Sequence, residues 1–347
     1  MLINARFLTQ PTTGVQRFAR EIIAATALKY PDRLALLAPQ SVSSSDNFCG
    51  LPLSRVGRYE GHRWEQFDLP RASRDQFLIN LCNTAPIFKS EQLVVLHDAA
   101  VAANPDNFTP AFRVWYHIMI HAYTRRARKL ATVSNFSADE ISKYFGVNRS
   151  RINIIPESGE HILRETPDYT LHEKFDLEQD GYFLAVSSLV PNKNFSAVLR
   201  AAARLPTMPF KFVIVGARNT KVFNSTDFKV TNAVEAGYVS DAQLRALYEK
   251  AACFVYPSLY EGFGLPPLEA MTCGCPVLVS NTSSLPEVCG KAALYCDPFD
   301  PGDIAQKLSS LLGSKQARKE YSAAGLARSR EWTWAKAAAR LRETISF

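Results

Sequence analysis

Glu261 and Glu269 stand eight positions apart in the stretch 256–269, which reads Tyr-Pro-Ser-Leu-Tyr-Glu-Gly-Phe-Gly-Leu-Pro-Pro-Leu-Glu. The apolar run 253–256 predicts a buried parallel strand, and Pro257 prevents its continuation as a central one. Glu261, Gly262, Phe263 and Gly264 then fill a loop in which two residues without Cβ let backbone approach a bound group. Pro266 and Pro267 suit the first turn of a helix, where a missing N–H costs nothing, so Glu269 falls in or just after that turn. In an open α/β sheet, ligands sit beyond the carboxyl ends of the strands, and a helix N-terminus favours a phosphate. A carboxylate only accepts hydrogen bonds, so at such a place it addresses hydroxyls and repels phosphate. The arrangement predicts a ligand carrying both groups. Taken singly, Glu269 also suits the positive end of a helix dipole, and Glu261 a solvated loop.

The whole phrase resembles the Glu-x7-Glu signature of the retaining glycosyltransferases of family four, the group 1 glycosyltransferases. The likeness continues through Glu269-Ala270-Met271, Cys273-Gly274-Cys275-Pro276-Val277, Ser280-Asn281, Leu285-Pro286-Glu287-Val288 and Asp297-Pro298. It implies an α/β architecture of GT-B type, with two Rossmann-like domains facing a cleft and a C-terminal helix returning to the first domain. It also implies roles. Glu261 would hold hydroxyls of the transferred sugar and favour the cation developing on its ring, Glu269 would hold the ribose, and the loop Gly262, Phe263, Gly264 and Leu265 would lie along the donor.

Lys193, in Asn192-Lys193-Asn194, matches the lysine with which the resembled family holds the diphosphate. A lysine at a helix start opposes the dipole unless an anion is brought in. The arginine that often precedes it is missing, since Leu189 and Asn192 stand where a basic residue is expected, so Lys193, loop amides and Arg218 are left for the diphosphate. Backbone near Tyr238 and Val239 is implied to hold the base. His97-Asp98 matches a pair lying against the transferred sugar, and a neutral ring at the carboxyl end of a strand can donate to a hydroxyl or accept from one. A histidine tied to nearby backbone is the plain alternative. Thr13-Gly14 stands where many members carry a glycine-rich loop between donor and acceptor; only Gly14 is left here, and an N-cap turn explains the pair nearly as well.

These residues need elements to hold them. Residues 1–4 predict a brief strand and 6–13 a polar loop, followed by a helix with Val15, Phe18, Ile22 and Ile23 at helical spacing. Further strands are expected at 34–38, 77–82, 93–96, 130–134 and 152–156. Periodicity fails over 51–74, where Gly61-His62-Arg63-Trp64 reads as irregular surface near the cleft mouth and a place to recognise an acceptor. The charged stretch 161–181 has the composition of an interdomain linker. Strands at 183–187, 210–215 and 253–256 then start a second α/β unit, which closes with surface helices at 303–312 and 316–330. An amphipathic helix at 334–345 ends the chain. The expected domains are an acceptor-binding 1–160, a nucleotide-sugar-binding 161–331, and 332–347 packed back on the first.

Side chains that are 47% hydrophobic and 21% charged mark an ordinary soluble protein, and 347 residues suffice for two domains. No apolar run reaches the length of a membrane span, and residues 1–4 are too few for a signal peptide, so a cytoplasmic protein is expected. Seven cysteines, odd in number and without a Cys-x-x-Cys pair, suit buried reduced thiols. A net charge of +7 attracts anionic partners. Part of it, Arg125, Arg126, Arg128 and Lys129, ends an aromatic-rich helical stretch starting at Phe112. Those cations suit a helix end, or a peripheral contact with the inner membrane where a lipid-linked acceptor is presented. No nucleic-acid-binding pattern accompanies them. Nor is there an Asp-x-Asp motif, and fixed cations can replace a metal, so neither metal nor cofactor is expected.

The expected function is retaining transfer of a sugar, mannose or another hexose, from a nucleotide-diphosphate-sugar to a hydroxyl of a saccharide or lipid-linked oligosaccharide, in bacterial surface polysaccharide or lipopolysaccharide biosynthesis. A nucleotide-sugar epimerase with this fold and a catalytically silent sugar-binding or assembly subunit are the alternatives. Donor consumption with and without acceptor separates the three.

Overall fold

The computed structural model describes residues 1–43, 46–187, 191–205, 210–216 and 233–345. The chain forms two compact units, one of Met1–Glu157 with Trp334–Phe347 and one of Ser158–Thr333. The sequence reading placed these breaks at 160/161 and 331/332.

Unit 1 is built on β1 (Leu2–Asn4), β2 (Ala35–Ala38), β3 (Asn47–Phe48), β4 (Leu51–Arg55), β5 (Leu78–Asn80), β6 (Gln92–Val95), β7 (Lys129–Thr132) and β8 (Ile152–Ile154), in the order β3-β4-β2-β1-β5-β6-β7-β8. All neighbours are parallel except β3 and β4. Strands β1, β5 and β6 are buried at every position, which is why apolar residues adjoin in them instead of alternating, with the buried polar residues Asn4, Asn80 and Gln92 at their ends. From β1 the chain steps outward through β2 to β4, then crosses to the other side with β5 and steps out to β8. Its direction therefore reverses between β1 and β5.

The helix Gly14–Ala27 buries Phe18, Ala19, Ile22 and Ile23. The last helix, Trp334–Ile345, turns Trp334, Ala337, Ala338, Leu341 and Ile345 inward at helical spacing. Its Trp334 ring meets Phe18 edge-on at 6.1 Å, and Arg342 Nη1 donates to the Tyr30 hydroxyl at 3.2 Å, so this terminal segment is part of unit 1.

Unit 2 carries β9 (Tyr182–Ser187), β10 (Lys211–Gly216), β11 (Ala233–Gly237), β12 (Cys253–Tyr256), β13 (Val277–Ser280) and β14 (Leu294–Cys296). Every pairing is parallel, in the order β11-β10-β9-β12-β13-β14, and the direction of travel reverses between β9 and β12. Its core joins Phe183, Val198, Phe212, Val255, Leu278, Ile304 and Leu308. Cys253, Cys275, Cys289 and Cys296 are buried as free thiols, and burial pushes the thiols of Cys289 and Cys296 up to about 12. No described helix is long and apolar enough to cross a membrane.

Besides strands β3 and β4, which the sequence reading did not expect, three stretches depart from it. Residues 61–72 are helical, not irregular, and the turn Trp64–Asp68 is wound as a π-helix. An i→i+5 turn breaks the 3.6-residue period, which hid the helix from a periodicity reading. Trp64 is wholly buried there, its Nε1–H donating to the Val56 carbonyl at 2.8 Å. The expected polar loop 6–13 opens with a 3-10 turn, Arg6–Thr9, whose first residue is buried. The expected linker 161–181 contains the helical turns Glu160–Arg164 and Thr170–Phe175, and His161 is buried.

Candidate functional site

The reversal between β9 and β12 fixes where unit 2 has a crevice. Neighbouring strands whose connections leave in opposite directions cannot both be covered at their carboxyl ends, and ligands of open parallel sheets bind there. The chain leaves β12 at Tyr256 and leaves β9 toward residues 191–194. These segments are zipped together: Leu259 N–H donates to the Asn192 carbonyl at 2.7 Å, Asn192 Nδ2 to the Tyr260 carbonyl at 3.0 Å, and Asn194 Nδ2 to the Pro257 and Pro298 carbonyls at 3.1 and 2.7 Å.

Lys193 and Glu261 meet across this zipper. Lys193 Nζ donates to both carboxylate oxygens of Glu261, at 2.7 and 2.9 Å, and to the Tyr256 hydroxyl at 2.8 Å. Ser258 Oγ donates to Glu261 Oε1 at 2.5 Å. Burial by itself would favour the neutral amine, but the charge of Glu261 and the phenol of Tyr256 outweigh it and hold the Lys193 ammonium well above the ordinary lysine range. The sequence reading placed the two residues on different parts of one donor; here they are bonded to each other.

The loop after Glu261 is braced from β13 and the segment beyond it. Glu261 N–H donates to Ser283 Oγ at 3.2 Å, and Ser284 Oγ lies 2.6 Å from the Phe263 carbonyl. Gly264 caps the following helix, Leu265–Thr272, at φ +108°, and a Cβ there would stand 2.7 Å from Leu285 Cδ2. Only glycine meets both conditions. Pro266 and Pro267 bring no N–H, so this helix start offers fewer amides than an ordinary one and the loop backbone must supply the rest. Phe263 is buried with its ring edge-on to Trp332 at 5.4 Å, and Leu265 is buried too, which leaves their backbone for a ligand.

Glu269 sits in the same helix at 8% exposure. His161 Nε2 lies 2.8 Å from its Oε1, and the Tyr248 hydroxyl donates to its Oε2 at 3.3 Å. Two carboxylate oxygens offer about four acceptor sites, so capacity remains for hydroxyls. The approach of residues 158–161 is close enough that a Cβ at Gly159 would stand 2.7 Å from the Leu268 carbonyl. His161 and Tyr248 were both missed from sequence. Gly159 two residues before a histidine, just past the last strand of unit 1, was the available signal.

Of the remaining candidates in unit 2, Tyr238 is exposed after β11 and Val239 is half-buried beside it, next to the capping box of Ser240 and Gln243. Arg218 and Leu189 lie outside the described residues.

In unit 1, His97 follows β6 and is 4% exposed. Its Nε2 lies 2.9 Å from the Leu81 carbonyl and its Nδ1 3.3 Å from Glu157 Oε1, while the Phe18 ring meets it edge-on at 4.9 Å. This is the backbone-tied arrangement named as the plain alternative, with a buried glutamate added that the sequence reading assigned to no site. Thr13 and Gly14 form the start of the Gly14–Ala27 helix, where Gln16 Oε1 accepts from Thr13 N–H at 3.2 Å. Among the described residues, no group of three His, Cys, Asp or Glu side chains is placed to hold a metal ion.

A model of the family described as glycosyl transferases group 1 matches residues 169–328. The chain is similar to the O-antigen chain mannosyltransferase B of Escherichia coli, 34% identical over 259 residues that make up 70% of this chain and 66% of that one. It is 32% identical over 263 residues to the serotype-specific mannosyltransferase WbdA of Escherichia coli, across 70% of this chain and 32% of the other. The match thus spans about two thirds of the first relative and about a third of the second. Among solved structures, Anabaena Alr3699/HepE in complex with UDP-glucose superposes with a TM-score of 0.75 at 15% identity, covering 99% of this chain and 98% of that one.

Proposed function

Because the chain belongs to the group 1 glycosyltransferases and has the GT-B fold, we propose that it moves a hexose from a nucleoside-diphosphate sugar to a hydroxyl of a saccharide or lipid-linked oligosaccharide, keeping the anomeric configuration, in the assembly of a bacterial surface polysaccharide. The names of the relatives put mannose first among the hexoses. The observation that carries the reading is the Lys193 ammonium, held charged by Glu261 at the strand-order reversal of unit 2.

Breaking the sugar–phosphate bond leaves negative charge on the diphosphate and positive charge on the sugar ring, and groups already oriented toward those charges lower the barrier most. Lys193 would exchange Glu261 for the diphosphate, taking the part a metal ion plays elsewhere, and the amides of 262–264 would add to it. Glu261, released on the same side, would accept from sugar hydroxyls. Glu269, its carboxylate fixed by His161 and Tyr248, would accept from the ribose. His97 enters on the likeness of the His97-Asp98 pair to that of the family, and its Nε2 would have to exchange the Leu81 carbonyl for a sugar hydroxyl.

For a lipid-linked acceptor we propose a peripheral contact on the cytoplasmic face of the membrane through the helix Pro110–Arg126. Phe112, Val114, Trp115 and Ile118 are exposed on it, with Arg113 among them and Arg125 and Arg126 at its end. Apolar side chains that enter a lipid surface together with cations that attract its headgroups support this placement.

The test is a panel of nucleoside-diphosphate hexoses given to the purified chain with and without acceptor oligosaccharide. Consumption of one donor that depends on acceptor agrees with transfer. Conversion of the donor to an isomer without acceptor would make the chain an epimerase, and no consumption under any condition would make it a silent subunit.

A further inference from the structure

The chain has six histidines. Four are engaged by other side chains: His62 with Glu65, His97 with Glu157, His161 with Glu269 and His172 with the Tyr182 hydroxyl. The other two, His117 and His121, stand one turn apart on the helix Pro110–Arg126, where residues spaced by four share a face. Their ring centres are 4.4 Å apart and their planes are tilted by 39°.

Neighbouring groups hold both rings in place. Phe145, buried at the end of the helix Asn135–Phe145, meets the His117 ring at 5.5 Å and the His121 ring at 5.6 Å. His121 Nδ1 lies 3.1 Å from the His117 carbonyl. A carbonyl only accepts, so Nδ1 carries the hydrogen, and the lone pair of the neutral ring is on Nε2. Metal-bound histidines are arranged in this way, the second nitrogen donating to a carbonyl or carboxylate that fixes the tautomer. Burial and the nearness of His121 lower the pKa of His117, which leaves its ring neutral at pH 7. Two imidazoles that share an ion each stand about 2.0–2.1 Å from it, so their nitrogens must come within roughly 3–3.5 Å of each other. With ring centres at 4.4 Å, that spacing needs only side-chain rotation.

The donor set decides the kind of ion. Neutral imidazole suits zinc, copper and nickel, whereas magnesium and calcium require oxygen ligands. Among the described residues no third His, Cys, Asp or Glu joins the pair, so water would fill the remaining positions of an ion at the surface. The helix has a use for one. Residues 110–115, 117 and 118 are exposed, so its first half gains little from packing, and packing is where most helical stability in proteins comes from. An ion held from 117 and 121 ties two successive turns together.

We infer that His117 and His121 form a surface site for one divalent ion with a preference for nitrogen ligands, zinc or copper, and that the ion clasps the helix Pro110–Arg126. The site has no part in the sugar chemistry proposed above, and the inference stands or falls separately from it.

The test uses the full chain, freed of any affinity tag and carrying Cys49→Ser, since the exposed Cys49 thiol is itself a metal ligand. Calorimetry should show one Zn2+ bound per chain, Cu2+ bound more tightly and no binding of Mg2+. His117→Gln and His121→Gln should each weaken Zn2+ binding about tenfold or more, at least the cost of disturbing a group that merely orients a metal ligand. In NMR spectra, Zn2+ should move the ring resonances of His117 and His121, leave those of the other four histidines in place, and slow amide exchange over residues 113–121.

A variant that binds Zn2+ like its parent overturns the inference, because a site that survives the loss of one ring is a lone surface imidazole. Ring shifts at another histidine, or no Zn2+ binding at all, overturn it too. An ion bound at the pair that leaves amide exchange unchanged overturns the clasp. His117 is exposed and His121 half-buried, so both variants should fold; if either does not, the ring resonances of the parent decide.

Discussion

Glu261→Gln separates the electrostatic role of the Lys193 pair from its geometry, because the amide keeps the shape of the carboxylate and loses its charge. Lys193 Nζ would lose the negative charge that neutralises it and one of its two contacts at 2.7 and 2.9 Å, since the amide oxygen still accepts but the NH2 does not, and would keep the Tyr256 hydroxyl. Removing one partner of a buried ion pair costs about 3–5 kcal/mol. The Lys193 side chain is 24% exposed, so water relieves part of that, and a loss of roughly 2 kcal/mol is expected. For a unit of this size that is a fall in Tm of about 4–8 °C. A nucleoside diphosphate brings the missing negative charge, so it should raise the Tm of Glu261→Gln by more than that of the unsubstituted chain, while turnover falls about a hundredfold or more. Thermal melts with and without nucleotide, followed by initial rates, give all three quantities. A variant that melts with the parent and gains no extra stabilisation from nucleotide would refute the reasoning, because Lys193 would then be neither dependent on Glu261 nor open to a diphosphate.

Glu269→Ala should weaken nucleotide binding about tenfold or more, the scale of a hydrogen bond to a charged group, and calorimetry showing unchanged affinity would remove it from the ribose. Gly264→Ala should lower Tm by a few degrees, since a left-handed backbone costs a side chain about 1–2 kcal/mol and the added Cβ would meet Leu285 Cδ2 at 2.7 Å; an unchanged melt would show that the loop yields. Burial by itself would raise the Glu65 carboxyl, but hydrogen bonding from His62, the Arg6 charge, and the bonds from Thr84 and Asn4 hold its pKa below the ordinary 4.5, so it contributes stability that is full above that pH and is lost as pH falls through its folded value. The unsubstituted chain should therefore melt above Glu65→Gln at pH 7, with the gap narrowing below about pH 4.5, and a gap that does not change with pH would show that the charge is irrelevant.

What could be read from sequence follows from how local each feature is. The strand Cys253–Tyr256, the glycine-bearing loop and the proline-led helix after it announce themselves within twenty residues, because buried runs and Pro/Gly punctuation are local. The closing helix was equally legible from the spacing of Trp334, Ala337, Leu341 and Ile345. Strands β3 and β4 were missed, being two residues and five residues long with Pro52 inside the latter. The helix over 61–72 was missed because its middle turn is a π-turn. Side-chain networks were least legible: Asn4, Arg6, Glu65 and Thr84 are spread over eighty positions and meet only through the strand order. His161 was passed over because the charges around it suggested a solvated connector, although it is buried against Glu269. Lys193 and Glu261 were each singled out, but nothing local showed that in this structure they bond to each other.

The most direct test of the central claim is the anomeric configuration of the product. A nucleoside-diphosphate hexose of known configuration, incubated with the chain and acceptor oligosaccharide and followed by NMR, should be consumed and give a glycoside with the configuration of the donor. A product of inverted configuration, or a donor left intact with every acceptor tried, would contradict it.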